Sequence, residues 1–274
     1  MVVDKVKRPT FSQISNFTNI AEWSLSPYQI LTLGFAGLIF LGAFLLMLPI
    51  ASVNGESLGF IDALFTATSA TCVTGLVVAD TGTYFSLFGQ MVIIFLIQAG
   101  GLGIMTMTTL MAVLMGKKIN LRERLIMQEA LNNLSFAGIV RLTLYIIKMT
   151  LLIEFIGGSI LAIRFFFEFG LKGIFYGYWH AVSAFCNAGF DLFGGYRSLV
   201  PYYNDWTVNL VITSLIIMGG LGFSVLLDIK QNRVFKKLTL QSKVVLSTTL
   251  FLIIAGTAGI WFLENNNQMT IASM

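Results

Sequence analysis

From Tyr28 to Ile50 the chain runs 23 residues without a charged side chain. In a helix that run covers about 34 Å, enough to cross the roughly 30 Å hydrocarbon core of a bilayer. It is too long for a signal-peptide core and follows a polar stretch of 27 residues, so it reads as a retained transmembrane helix and not as a cleaved leader. Runs of the same kind occupy Phe88–Met115, Leu142–Phe167, Val208–Leu227 and Val244–Leu263, which makes five expected spans. Composition agrees: 56% hydrophobic and 11% charged residues exclude a soluble globule, where about 25% are charged.

The basic residues report orientation. Of 17 Lys and Arg, 13 cluster in three places: before span one (Lys5, Lys7, Arg8), after span two (Lys117, Lys118, Arg122, Arg124, Arg141) and after span four (Lys230, Arg233, Lys236, Lys237, Lys243). Between spans one and two there is none, and between spans three and four only Lys172 and Arg197. By the positive-inside rule the N-terminus is cytoplasmic, and five spans put the C-terminus outside. The net charge of +4 therefore does not signal nucleic acid. Cys72 and Cys186, the two cysteines, form neither a disulfide framework nor a metal-ligand pattern.

The chain also repeats itself. Ser69–Gly75 (SATCVTG) matches Ser183–Gly189 (SAFCNAG), and GGLG at Gly100–Gly103 recurs at Gly219–Gly222. Same-order repeats are a recognised way to build a transport path, with the working site between them. Each copy sets a short apolar stretch between its two long ones, Phe60–Ala70 and Phe175–Phe185. Eleven residues reach only about 16 Å, so each stretch reads as a half-helix that enters from outside and returns as extended chain. Non-helical backbone at that depth must be buried in protein or line water. A half-helix aims a C-terminal end worth roughly −0.5 charge at the membrane centre, which favours a cation. The residues that follow, Thr71–Gly75 and Phe185–Gly189, can turn successive carbonyls toward an axis and replace a hydration shell. Gly75 and Gly189 suit the ends of these stretches because glycine takes positive φ without a Cβ clash. Cys72 and Cys186, at matching positions, read as small packing residues.

These residues resemble the Ktr/Trk/HKT superfamily of potassium transporters, most closely the Ktr membrane subunit. The likeness covers nearly the whole chain and rests on Ile61–Leu76, Asp80–Gln90, Gln98–Thr106, Gly116–Asn132 and His180–Phe190. The resemblance implies four fused helix, loop, helix units whose loops form one potassium filter. It identifies Gly75 and Gly189 as filter glycines and the carbonyls of Thr71, Cys72, Val73, Thr74, Phe185, Cys186, Asn187 and Ala188 as ligands. In the family, Gly at the first loop goes with potassium and Ser with sodium. The resemblance further implies a homodimer seated on a cytosolic ring of nucleotide-binding regulatory subunits, with no cofactor in this chain and potassium as the transported ion.

On this reading the chain is an all-α, multi-pass protein of the cytoplasmic membrane, surrounded by lipid, and is not an enzyme. It divides into a cytoplasmic segment 1–27, a first unit 28–116, a linker 117–141, a second unit 142–228, a linker 229–243, one helix 244–263 of a third unit and an outer tail 264–274. Two loops are fewer than the four that a carbonyl ring calls for, so the chain is expected to be part of a larger transporter. Glu154, in mid-span with Lys148 and Arg164 before and after it, is expected to make a structural polar contact, the alternative being ion-coupled secondary transport through Glu154. His180 is expected to pack or hydrogen-bond, and Asp62 and Asp191 to flank the loops at the outer mouth. GGLG is expected to let helices approach closely or kink.

Overall fold

The structure, a computed structural model, describes residues 27–103 and 139–266. Regular structure among them is helical, apart from one isolated bridge between Ser52 and Phe85. The first unit holds α1 (Pro27–Met47), the short α2 (Phe60–Thr71) and α3 (Leu87–Leu102). The second holds α4 (Ile139–Phe169), α5 (Leu171–Phe185) and α6 (Trp206–Gly220), and is followed by α7 (Phe223–Asn232) and α8 (Leu240–Asn266).

Glycines decide where these helices meet. Between α4 and α5, a Cβ on Gly173 would stand 2.2 Å from the Phe165 carbonyl oxygen, and one on Gly177 would stand 2.3 Å from the Ala162 nitrogen. Only hydrogen side chains allow that approach. Gly170, at φ +60°, makes the whole turn between the two helices. This is why α5 begins at Leu171, four residues before the expected Phe175: Gly173 is a contact point and not a breaker. In the first unit α1 does the same at Gly42, against Leu96 of α3.

Two apolar cores result. One gathers Leu46, Ala67, Phe85, Ile93 and Leu96 between α1, α2 and α3. The other gathers Leu161, Phe165, Phe185, Val208 and Leu215 between α4, α5 and α6. Trp179 of α5 is buried in the first core, where its indole N–H donates to the Gln90 carbonyl at 3.3 Å, so the two units form one body. The outward faces stay apolar: Phe155, Ile163 and Phe167 of α4 are exposed, and the apolar stretch Leu240–Leu263 is 0% buried. Apolar surface of that extent suits hydrocarbon and not water.

Thr143–Phe169 and Leu240–Leu263 are long and apolar enough to cross a membrane, while Leu31–Met47 and Leu87–Leu102 are shorter apolar helices. The expected fourth span, Val208–Leu227, is not one helix. It breaks after Gly220, and α7 leaves at 99° to α6. The cause is local, because Gly222 takes φ +85° and ψ 146°, outside any helix. Gly103, the matching glycine of the first unit, takes φ +82° and ψ 140° and ends α3 in the same way. The rest of the expected second span, Ile104–Met115, and the linker residues 117–138 lie outside the described residues, as do segment 1–26 and the tail 267–274.

Candidate functional site

Both short helices end in the same hydrogen-bonded cap. At the end of α2 the Thr74 N–H donates to the Ser69 carbonyl at 2.8 Å and the Val73 N–H to Ala70 at 3.3 Å. At the end of α5 the Ala188 N–H donates to Ser183 at 2.8 Å and the Asn187 N–H to Ala184 at 3.0 Å. This is the Schellman pattern, which needs a left-handed residue, usually glycine, in the turn. Here the turn residues are Val73 at φ +57° and Asn187 at φ +60°. A β-branched valine in that conformation is rare, and such strain persists only where the surroundings hold it. Two residues later Gly75 and Gly189 take φ +80° and +75°. The two loops thus follow one backbone path.

The caps use the carbonyls of Ser69, Ala70, Ser183 and Ala184. Among the described residues no N–H donates to the carbonyls of 72–75 or 186–189. Of these eight residues only Ala188 is buried, and buried carbonyls ordinarily find partners. Each helix end is seated on the paired glycine of its own unit: a Cβ on Gly100 would stand 1.9 Å from the Thr71 carbonyl oxygen, and one on Gly219 would stand 1.8 Å from that of Phe185. The two loops also meet. A Cβ on Gly75 would lie 2.5 Å from the Ala188 carbonyl oxygen and 3.4 Å from Gly189 Cα.

Of the ten loop residues picked out in the sequence, Thr71, Phe185 and Ala188 are buried, and Cys72, Thr74, Asn187 and Gly189 are exposed. The two cysteines differ. Cys72 is exposed, while Cys186 fits against α3 of the other unit, with its Sγ 2.6 Å from where a Gly101 Cβ would be. The Cys186 thiol donates to Gln98 Oε1 at 3.8 Å, and Gln98 Nε2 donates to Glu154 Oε2 at 3.3 Å. Glu154 makes a polar contact, though not with Lys148 or Arg164. Lys148 is exposed, and Arg164 pairs with Asp205 at 2.6 Å and with Glu168 at 3.5 Å. Gln98, which carries this contact, drew no attention as a single residue in the sequence, although an amide inside an apolar run is itself a signal.

The segments that flank the two loops are held by polar side chains. His180 Nδ1 donates to the Tyr176 carbonyl at 2.7 Å, its Nε2 accepts from the Leu192 N–H at 3.2 Å, and its ring stacks on Phe193. Asp80 spans the units: its Oδ1 accepts from the N–H groups of Gly82 and Thr83 at 3.0 and 2.9 Å, and its Oδ2 accepts from Tyr196 N–H at 2.8 Å. Burial alone would push the Asp80 carboxyl up, but these donors outweigh it and hold it below its ordinary value. Asp191 is pushed up by burial, with the Asp80 charge adding to the effect. It lines a cavity of about 180 Å³ with His180, Asn187 and Gly189. Asp62 stands exposed in the first turn of α2, where a carboxylate suits the helix dipole. Tyr196 was not marked in the sequence and Asp80 only as the first residue of a motif, and no local pattern announces their contact across 116 residues.

Two matched helix, loop, helix units with apolar outward faces define an all-helical protein with the surface of a membrane protein. The chain belongs to the TrkH family of cation transport proteins, whose pattern it matches over residues 12–270. It is 46% identical over 257 residues to the Ktr system potassium uptake protein B of Bacillus subtilis, covering 93% of this chain and 57% of that protein. To the potassium/sodium uptake protein NtpJ of Enterococcus hirae it is 45% identical over 248 residues, covering 90% of this chain and 54% of that protein. The Ktr system potassium uptake protein B of Vibrio alginolyticus is 39% identical over 249 residues, with 90% and 54% covered. The chain spans about half the length of these relatives.

Proposed function

We propose that this chain supplies two of the loops of a potassium-conducting pore in the cytoplasmic membrane, with the N-terminus in the cytoplasm and α2 and α5 entering as half-helices from outside. One observation carries the reading: two loops of identical backbone path, at the C-terminal ends of short helices, meet at Gly75 and Ala188 with their carbonyls unpartnered among the described residues. Potassium is the substrate these groups fit. Its hydration shell is replaced by rings of carbonyl oxygens, and the negative ends of two helix dipoles add to the attraction.

The contacts between units also fit a ring. Gly101 of the first unit packs on Cys186 of the second. The matching groups at the two ends, Gly220 and Cys72, are open: none of the described residues lies within 4 Å of a Cβ built on Gly220, and Cys72 is exposed. A head-to-tail contact with both ends unfilled can extend further and forms a ring where the rotation closes. Closure takes further loops, in keeping with relatives about twice as long. In the assembled transporter the chain works as part of a homodimer on a cytosolic nucleotide-binding ring, with no cofactor of its own and no enzymatic step.

Potassium flux into liposomes holding the full polypeptide that contains this chain tests the reading. Saturable potassium flux that weakens in Gly75→Ser is expected. Absence of alkali-cation flux, or flux and selectivity untouched by Gly75→Ser and Gly189→Ser alike, overturns it.

A further inference from the structure

Where the two units join, three polar side chains stand in series. Glu154 of α4 accepts from Gln98 of α3, and Gln98 accepts in turn from the thiol of Cys186 in the second loop. The series crosses the boundary twice, from the second unit to the first and back. Glu154 is 5% exposed, and its other oxygen, Oε1, is buried without a hydrogen-bond partner among the described residues. A half-partnered carboxylate is a costly way to fill space that Leu or Met fills without penalty. The arrangement is also particular to this junction, because the residue of the second unit that matches Gln98 relative to GGLG is Ile217, which has no polar group.

We infer that Gln98, anchored by Glu154, is a positioning residue that fixes the second loop against the first and thereby sets ion discrimination. The inference rests on the filter reading above. Cys186 follows Phe185, whose carbonyl bears on Gly219, and precedes Asn187, the left-handed residue of the cap. A shift of Cys186 therefore moves the carbonyls of 186–189 together. The Ala188 carbonyl, already against Gly75, has least freedom to follow. Gln98 is suited to this work because its amide donates at one end and accepts at the other, which orients it between a carboxylate and a thiol. Groups behind a ligand set commonly act in this way, by holding the ligands and not by touching the ion.

The test is a charge swap in the full polypeptide, purified and reconstituted, with potassium and sodium fluxes measured per assembled transporter. Gln98→Glu alone sets two carboxylates against each other, and the potassium to sodium preference should fall about tenfold, the lower end of what such supporting partners contribute. Adding Glu154→Gln restores a carboxylate and an amide in reversed order, and should bring the preference back to within about twofold of the parent. A merely structural pair changes the yield of folded protein but not the preference of what does fold. Where Gln98→Glu does not accumulate, Gln98→Leu, which removes both polar contacts without adding charge, reads the same ratio. An unchanged preference in the single variant, or a swap that folds and leaves the preference lowered, overturns the inference. Gly75→Ser run alongside separates the two readings: if it alters preference while Gln98 variants do not, the filter stands and only the positioning role falls.

Discussion

Gly75 lies so close to Ala188 that a side chain at position 75 has no room: its Cβ would stand 2.5 Å from the Ala188 carbonyl oxygen, at a φ of +80°. Gly189 has the same backbone need, at φ +75°, but among the described residues its Cβ would meet only Gly75 Cα, at an ordinary 3.6 Å. Both serine substitutions carry the left-handed strain of an L residue, about 1–2 kcal/mol. Gly75→Ser also displaces the Ala188 carbonyl. The expected outcome is that Gly75→Ser lowers potassium over sodium preference several times more than Gly189→Ser, in paired flux measurements. Equal effects would show that the close approach at Gly75 does not matter.

The paired glycines of GGLG give a second asymmetry. Gly100→Ala and Gly219→Ala each drive a methyl to within 1.9 Å of a carbonyl oxygen at the end of a short helix. Overpacking of this kind costs about 1–3 kcal/mol where the backbone yields and more where it does not. Gly220→Ala meets nothing among the described residues, so the chain itself should tolerate it. Under the ring reading, position 220 is where the next unit seats, as Gly101 seats Cys186. Gly220→Ala should then leave the thermal stability of the 274-residue chain in detergent unchanged and impair flux by the full polypeptide. Flux at the parent level would count against the ring.

Much of this was legible before any coordinates. The charge-free run at Tyr28, the twice-written SATCVTG pattern and the GGLG copies point to paired helical units, and those features are local in sequence. Positive φ at Gly75 and Gly189 followed from the same pattern. What the sequence hid depends on which surfaces touch. Val73 reads as an ordinary apolar residue, and its left-handed turn follows from a cap that includes Ser69 and Thr74. The hydropathy of Val208–Leu227 runs unbroken through Gly222, because an average over apolar residues does not register one φ angle. Glu154 was marked as in need of a partner, but the choice of Gln98 over Lys148 or Arg164 needs the two units docked.

Topology supplies a third prediction. Lys236 and Lys237 sit in the short turn between α7 and α8, beside a helix that has bent 99° away from α6. The proposed cytoplasmic location of residues 230–243 and external location of Asn54 and Asn204 can be read with fusion reporters. A fluorescent protein joined after residue 237 should light up, and alkaline phosphatase joined after residue 204 should be active. The reverse pattern would invert every unit and turn the half-helices to face out of the cell.

The clasp between the units at Asp80 gives a prediction in pH. Its carboxylate accepts from three backbone N–H groups, one of them Tyr196 of the other unit. Asp80→Asn keeps the shape but points an amide donor at one of those donors. Hydrogen bonds to charged groups are worth about 1.5–3 kcal/mol, so the thermal midpoint at pH 7 should fall by about 3–10 °C. Because the native Asp80 is held below its ordinary range, its contribution is fully present above the unfolded value of about 3.9 and is lost as pH falls through the lower native one. Asp191 works in the opposite sense. Burial and the Asp80 charge raise its native pKa, so protonating it as pH falls from neutral relieves a strain and adds stability. The parent protein should therefore gain slightly in midpoint on acidification before it loses. The gap between parent and Asp80→Asn should widen slightly as Asp191 takes up its proton, because the variant lacks the Asp80 charge that raises Asp191, and close only below about pH 4. Thermal melts of both proteins in detergent, taken from pH 7 to pH 3.5, read it directly, and a gap that closes by pH 6 would mean that Asp80 does not hold the two units together as a carboxylate.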